Sequence, residues 1–387
     1  MVMKSWLAAM ALACAIAMVL PQGANAQNAQ VQQEHTAFRA IDFDWRDTSR
    51  SREIPARLYW PTEVSPGRVP LIVFSHGMGG SRNGYTYLAA RWAAHGIASL
   101  HVQHIGSDAS LWRGNPFELV GRLQAATRDD EAAARVGDLR FALDQMLLFA
   151  TGPYARFIDM RRVAVAGHSY GANTALLTVG ARVIRDGRWL NFRDRRFKAA
   201  IVISAPPFYG ESDLSSVLAN VAVPTLHVTA TQDVIKIPGF YSSARDRVAI
   251  FDAIANRRKL LVMFRGGSHS IFTDRALTGG PGLNPKVKEA TGELTLAFLD
   301  YAFAGDSRSL AQWSVDWQDI LAEPTMRNAM PTSGASARAD WQDNMPATAA
   351  ETGRAMTGEQ QKSYPPLGGA ARRAAAEIDS SASALHR

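Results

Sequence analysis

The chain reads as an α/β protein, a mainly parallel sheet with helices on both faces, followed by a mostly disordered C-terminal tail. Three observations predict this. Short apolar runs alternate with longer segments of helical periodicity from Leu71 to Phe303, the rhythm of strands joined by crossover helices. One run, Arg162 to Ala166, passes through Gly167-His168-Ser169-Tyr170-Gly171 into the helix-forming stretch that begins at Ala172. Beyond about Pro324 the chain becomes rich in Ala, Ser, Gly, Pro and Arg and loses apolar periodicity, a composition unable to bury enough surface to order itself.

In chain order, Lys4 precedes an apolar run from Trp6 to Leu20, and Ala24-Asn25-Ala26 offers a cleavage site before Gln27. Residues 1–26 therefore read as a secretory signal peptide whose apolar core is too short to span a membrane comfortably. Cys14, the single cysteine of the 387 residues, lies inside it, so the exported domain is expected to fold without disulfides. A domain of roughly 300 residues buries about three quarters of its unfolded surface and can do so. The catalytic domain is expected over residues 27–323 and the tail over 324–387.

Ala37 to Trp45 and Ile54 to Trp60 predict a β-ribbon. Strands follow at Leu71 to Ser75, Ile97 to Val102, Val163 to Ala166, Ala199 to Ser204, Thr225 to Thr229 and Leu260 to Phe264. Helices are predicted over Tyr85 to His95, Asp129 to Phe149, Gly171 to Arg185 and Val287 to Phe303. In the last, Ala290, Leu294, Ala297, Phe298 and Tyr301 fall on one face and should dock it on the sheet. The stretch Gly106 to Thr127 breaks the rhythm. With Trp112 and Phe117 it is a candidate wall of a binding pocket, alongside Phe208, Tyr209, Ile235, Phe240 and Tyr241. The formal net charge is +7, with arginines spread along the chain. No basic tract is paired with stacking aromatics, so a nucleic-acid partner is not indicated.

A strand, a Gly-x-Ser-x-Gly turn and a helix in that order make a nucleophile elbow, in which the glycines let the chain bend sharply enough to expose the serine hydroxyl. Ser169 is thus the candidate nucleophile. The α/β-hydrolase fold, which carries such elbows, places an acid and then a histidine after later strands. Asp233, beyond the run Val223 to Thr229, is the candidate acid, with Glu211, Asp213 and more weakly Asp274 as alternatives. His269, after Lys259 to Phe264 and two glycines, is the candidate general base. Other histidines do not follow the last strand: His227 lies within a strand, His95 follows a helix, and His101 and His104 flank a strand end. A neutral His269 would take the Ser169 proton while Asp233 fixes its tautomer. The Tyr170 amide, just after the nucleophile, is one expected oxyanion donor.

Phe74-Ser75-His76-Gly77-Met78-Gly79-Gly80-Ser81-Arg82 together with the elbow resembles bacterial predicted dienelactone hydrolases, and is also similar to secreted platelet-activating-factor acetylhydrolases. The similarity extends from about Phe43 to Phe303 and includes His104-Ile105-Gly106-Ser107-Asp108 and Arg135-Val136-Gly137-Asp138-Leu139-Arg140-Phe141. It implies an α/β-hydrolase fold, with the Met78 amide as second oxyanion donor and Gly77 as the neighbouring alternative. A dienelactone hydrolase uses cysteine where this chain has Ser169, so the family name does not carry the activity with it. The expectation is an exported serine carboxylic-ester hydrolase, periplasmic or secreted, acting on a small-molecule or lipid-like ester with a short acyl group. No metal or organic cofactor is implied. The alternatives are a lipase or polyesterase on insoluble esters and a catalytically silent binding protein on the same scaffold.

Overall fold

The computed structural model describes residues 38–63, 68–151, 157–237 and 240–328. The predicted signal segment and most of the predicted tail lie outside the described residues. Nine strands form one sheet: β1 (Phe38–Asp47), β2 (Arg52–Pro61), β3 (Val69–Ser75), β4 (Ala98–Val102), β5 (Ile158–His168), β6 (Ala199–Ile203), β7 (Thr225–Gln232), β8 (Lys259–Ser268) and β9 (Leu321–Asn328). Their spatial order is β1-β2-β4-β3-β5-β6-β7-β8-β9. The strands from β4 to β8 run parallel, with antiparallel pairs at both edges. The chain reverses direction across the sheet beside β3, which places the carboxyl ends of β3 and β5 at a crevice where open α/β sheets bind ligands.

Alternation along β3 shows how both faces are buried. Leu71 and Val73 join one apolar cluster with Val136, Leu139 and Leu143, while Ile72 and Phe74 join the other with Leu88, Trp92 and Phe298. The first cluster lies under α3 (Asp129–Thr151) and α4 (Tyr170–Val179), the second under α1 (Thr86–Ala94) and α7 (Leu283–Ala304). Strands apolar on both faces are what a sheet covered by helices on each side requires. Ala290, Leu294, Ala297, Phe298 and Tyr301 are all buried, as their spacing predicts.

One expectation needs correction. The helix predicted from Gly171 to Arg185 stops at Val179, because Gly180 takes φ 129 and a methyl there would stand 2.2 Å from the Asn220 carbonyl oxygen. The chain continues as a hairpin, Arg182–Arg185 paired with Arg188–Asn191. The segment Gly106 to Thr127 contains two short 3-10 turns and α2 (Leu119–Ala126). β9 runs from Leu321 to Asn328, across the expected limit at 323. Pro324 sits within it, as an edge strand permits, since no ladder bond is needed on its open side. α5 (Leu214–Leu218), α6 (Ala244–Ala253) and α8 (Arg308–Asp316) complete the helices, and Ile235–Ile237 pairs with Phe240–Ser242 in a second small ribbon. Among the described residues no helix is long and apolar enough to cross a membrane.

Candidate active site

Ser169 occupies the turn between β5 and α4 with φ 55 and ψ −123, a sparsely populated conformation that persists only where the surroundings fix it. Both neighbouring glycines are required. A methyl on Gly167 would stand 2.1 Å from the Gly171 carbonyl oxygen, and one on Gly171 would stand 2.0 Å from the Ser75 carbonyl oxygen. The Ser169 amide donates to the Ile203 carbonyl at 2.9 Å, tying the turn to β6.

Two later loops meet this serine. His269 opens a short 3-10 turn after β8, and its Nε2 lies 2.8 Å from Ser169 Oγ. Its Nδ1 lies 2.8 Å from Oδ1 of Asp233, which follows β7 and is fully buried. Asp233 also accepts hydrogen bonds from Thr229 Oγ1 at 2.8 Å, from Arg247 Nη2 at 3.3 Å and from the Ser204 hydroxyl. Burial by itself would raise this carboxyl. The His269 hydrogen bond and charge, then the Arg247 charge and the Ser204 hydrogen bond, outweigh it and hold Asp233 well below the usual carboxylate range. An ionised Asp233 favours the proton on Nδ1, which leaves the Nε2 lone pair facing the serine hydroxyl.

The alternative acids are engaged elsewhere. Glu211 accepts from Arg185 and from the Ile184 amide, Asp213 caps α5 through the Ser216 amide, and Asp274 accepts from the Thr86 amide at the start of α1. His227 is buried within β7. His76 is also buried, its Nδ1 donating to the Gly77 carbonyl at 2.7 Å.

The loop after β3 folds against the elbow. The Gly77 amide donates to Tyr85 Oη at 3.3 Å, the Tyr85 hydroxyl to His168 Nδ1 at 2.9 Å, and His168 Nε2 to the His269 carbonyl at 3.1 Å. Burial, followed by the His269 charge, lowers His168 to about 3, so this ring remains a neutral strut between two loops. The Gly79 and Gly80 amides donate to Ser107 and Gly77 carbonyls. Among the described residues the amides of Met78 and Tyr170 have no protein acceptor, the latter as an open N–H at the start of a helix. Met78, Ser169, Tyr170 and His269 face one cavity of about 390 Å³.

The cavity is mostly apolar. Trp112, Phe208, Tyr209, Ile235 and Phe240 line it as predicted, whereas Phe117 is 95% exposed and Tyr241 62% exposed, and neither lines it. Val183 and Leu190 of the hairpin form a wall that the sequence did not suggest. Reading the sequence also missed Ser204 and Arg247. The position of Ser204 at the carboxyl end of β6, on the crevice side, was a usable signal; nothing local marks Arg247.

A family profile described as platelet-activating factor acetylhydrolase, isoform II, matches residues 49–113. The platelet-activating factor acetylhydrolase of Cavia porcellus is 23% identical over 328 residues, covering 73% of this chain and 69% of its own length. That of Canis lupus familiaris is 21% identical over 319 residues, covering 70% of this chain and 64% of its own. A solved structure, a ferulic acid esterase from Streptomyces cinnamoneus, aligns with TM-score 0.48 and 22% identity over 70% of this chain and 91% of that one. By these sequence matches the chain is similar to the platelet-activating factor acetylhydrolases, and its mostly parallel sheet covered by helices has the α/β architecture read from the sequence.

Proposed function

We propose that this protein is an exported serine carboxylic-ester hydrolase that works through an acyl-enzyme. The observation that carries the reading is the unbroken relay of Ser169 Oγ to His269 Nε2 at 2.8 Å and His269 Nδ1 to Asp233 Oδ1 at 2.8 Å. As Ser169 attacks the ester carbonyl carbon, His269 takes its proton, and Asp233 stabilises the imidazolium so formed. The carbonyl oxygen gains the negative charge and faces the amides of Met78 and Tyr170, donors already in place before charge develops. Collapse expels the alkoxide, which receives the proton from His269. A water activated by the same imidazole then adds to the acyl-serine and releases the acid, all with groups the chain itself supplies.

The acyl group is proposed to be short, as the acetylhydrolase names of the relatives favour, and export is proposed from residues 1–26. The test combines fluorophosphonate labelling with p-nitrophenyl esters of graded length. Labelling and turnover should both vanish in Ser169→Ala, and near-normal activity in that variant would refute the assignment. A second reading, a lipase or polyesterase, draws on Trp112, which is 54% exposed where it lines the cavity. Its mark would be a jump in rate at a lipid or polymer surface.

A further inference from the structure

The segments His104 to Asp108 and Arg135 to Phe141 take no part in the relay, yet they meet beneath the loop after β3. Arg135, on α3, is fully buried. Its Nε donates to Thr174 Oγ1 at 3.1 Å, its Nη1 to Ser107 Oγ at 2.7 Å, and its Nη2 to Ser75 Oγ at 3.1 Å and the His76 carbonyl at 2.5 Å. The guanidinium carbon lies 4.4 Å from the centroid of the Tyr170 ring. One side chain therefore holds both backbone segments that present the open amides. His76 stands two residues before Met78. Thr174 passes the contact on by donating its hydroxyl to the Tyr170 carbonyl at 3.0 Å.

None of these four acceptors is a carboxylate. The negative charges stand one layer out: Ser107 Oγ donates to Glu131 at 2.7 Å, and Ser75 Oγ donates to His104 Nε2 at 2.9 Å, whose Nδ1 donates to Asp138 at 3.0 Å. Each hydroxyl accepts from Arg135 and donates onward, so the direction of every proton in the layer is set. A buried cation held this way is costly, and packing alone would be served as well by an apolar side chain of similar volume. What an apolar side chain lacks is a planar fork of donors that fixes several oxygens at once.

We propose that Arg135 is a positioning residue for the oxyanion hole, fixing the separation and aim of the Met78 and Tyr170 amides through the His76 carbonyl and Thr174. The proposal rests on the serine-esterase reading above. In Arg135→Lys a single ammonium replaces the fork, and in Arg135→Met no donor remains. With p-nitrophenyl acetate, kcat per titrated active site should fall about tenfold in the first and about 100-fold in the second, the latter at the low end of the cost of losing one oxyanion donor. KM should change by less than about twofold. Affinity for an aliphatic trifluoromethyl ketone, whose adduct with Ser169 carries the oxyanion, should fall by the same factor as kcat/KM.

A purely structural Arg135 would lower the melting temperature or the titrated fraction of active sites, while kcat per site and ketone affinity stayed within about twofold of wild type; that result overturns the proposal. Should neither Arg135 variant fold, Thr174→Val removes one anchor only. It should weaken kcat and ketone binding together by several-fold, and unchanged values for both would overturn the proposal equally. A wild-type enzyme that neither turns over the ester nor binds the ketone refutes the esterase reading itself. An active wild type with unaffected variants refutes this inference alone.

Discussion

Acidification charges the histidines of the unfolded chain long before those of the folded one. Five of them, His76, His101, His104, His168 and His227, are buried. Burial is the leading cause in each: His101, His168 and His227 fall to about 3, and His76 and His104 lie well below 6.5. In the unfolded chain all five should titrate near 6.5. With folded values below unfolded ones, the stability they confer is complete above pH 6.5 and is lost as pH falls from there toward 3. At pH 5.5, one unit below the unfolded value, the three that fall to about 3 together cost roughly 4 kcal/mol, and His76 and His104 add to the loss in the same direction. That approaches the lower end of the stability of an ordinary domain, roughly 5–15 kcal/mol. Asp138 and Asp300 oppose the trend, because burial raises their folded values and adds stability as pH falls, but they are two groups against five. Carboxylates held low, such as Asp233, lose their contribution only at more acid pH. Urea titrations followed by tryptophan fluorescence at half-unit steps should show the loss. His227→Gln, remote from the relay, should lower proton uptake on unfolding by about one at pH 5. A free energy of unfolding that changes by less than about 1 kcal/mol between pH 7.5 and 5.5 would refute the argument.

Four further outcomes are expected. Asp233→Asn should cut kcat by about 10³–10⁴-fold by presenting the wrong His269 tautomer, whereas Glu211→Gln should leave turnover near normal; rates on p-nitrophenyl acetate decide. Gly171→Ala should abolish labelling by a fluorophosphonate, since the new methyl meets the Ser75 carbonyl and the elbow cannot close. A chain ending at Asn328 should keep its melting temperature, while one ending at Ile320 loses β9 and should melt several degrees lower. The acyl-length profile of kcat/KM should peak between acetyl and hexanoyl and decline gradually, at most about 0.8 kcal/mol per methylene. A steady climb to palmitoyl would favour the lipase reading instead.

The parts of the fold that were legible in the sequence are those fixed by local chemistry. The elbow can be read because only glycine fits at Gly167 and Gly171, and the parallel strands because residues such as Ile72 and Val73 face opposite buried layers. The pairing of Ser169 with His269 follows from strand order, whereas the choice of Asp233 over Glu211 and Asp213 rests on the 2.8 Å contact with His269. Other features depend on partners distant in sequence. Arg247 joins the site across a helix turn that looks like an ordinary solvated surface, and Ser204 has the composition of any strand end. The hairpin was hidden because Ala181 to Arg185 continues a helical pattern, and only the contact between Gly180 and Asn220 stops it. β9 was hidden by Pro324, which argues against a strand everywhere except at an edge.

The hairpin from Arg182 to Asn191 is joined to the scaffold at Gly180 on one side and at Asp194 on the other, and it shares no ladder with the nine-stranded sheet. Across its own strands the Arg182 guanidinium lies 4.1 Å above the Trp189 ring, and the hairpin is moored by Arg185 to Asp129 and Glu211. Its inner residues Val183 and Leu190 nevertheless form part of the binding cavity. The depth of the cavity is thereby separated from the register of β5 and β6, which sets the position of Ser169, the proposed nucleophile. Insertions, deletions or a transplanted ribbon at this one place can recut the substrate compartment while the reacting groups keep their coordinates, so the hairpin is where selection or engineering can change what this scaffold accepts without relearning how it reacts.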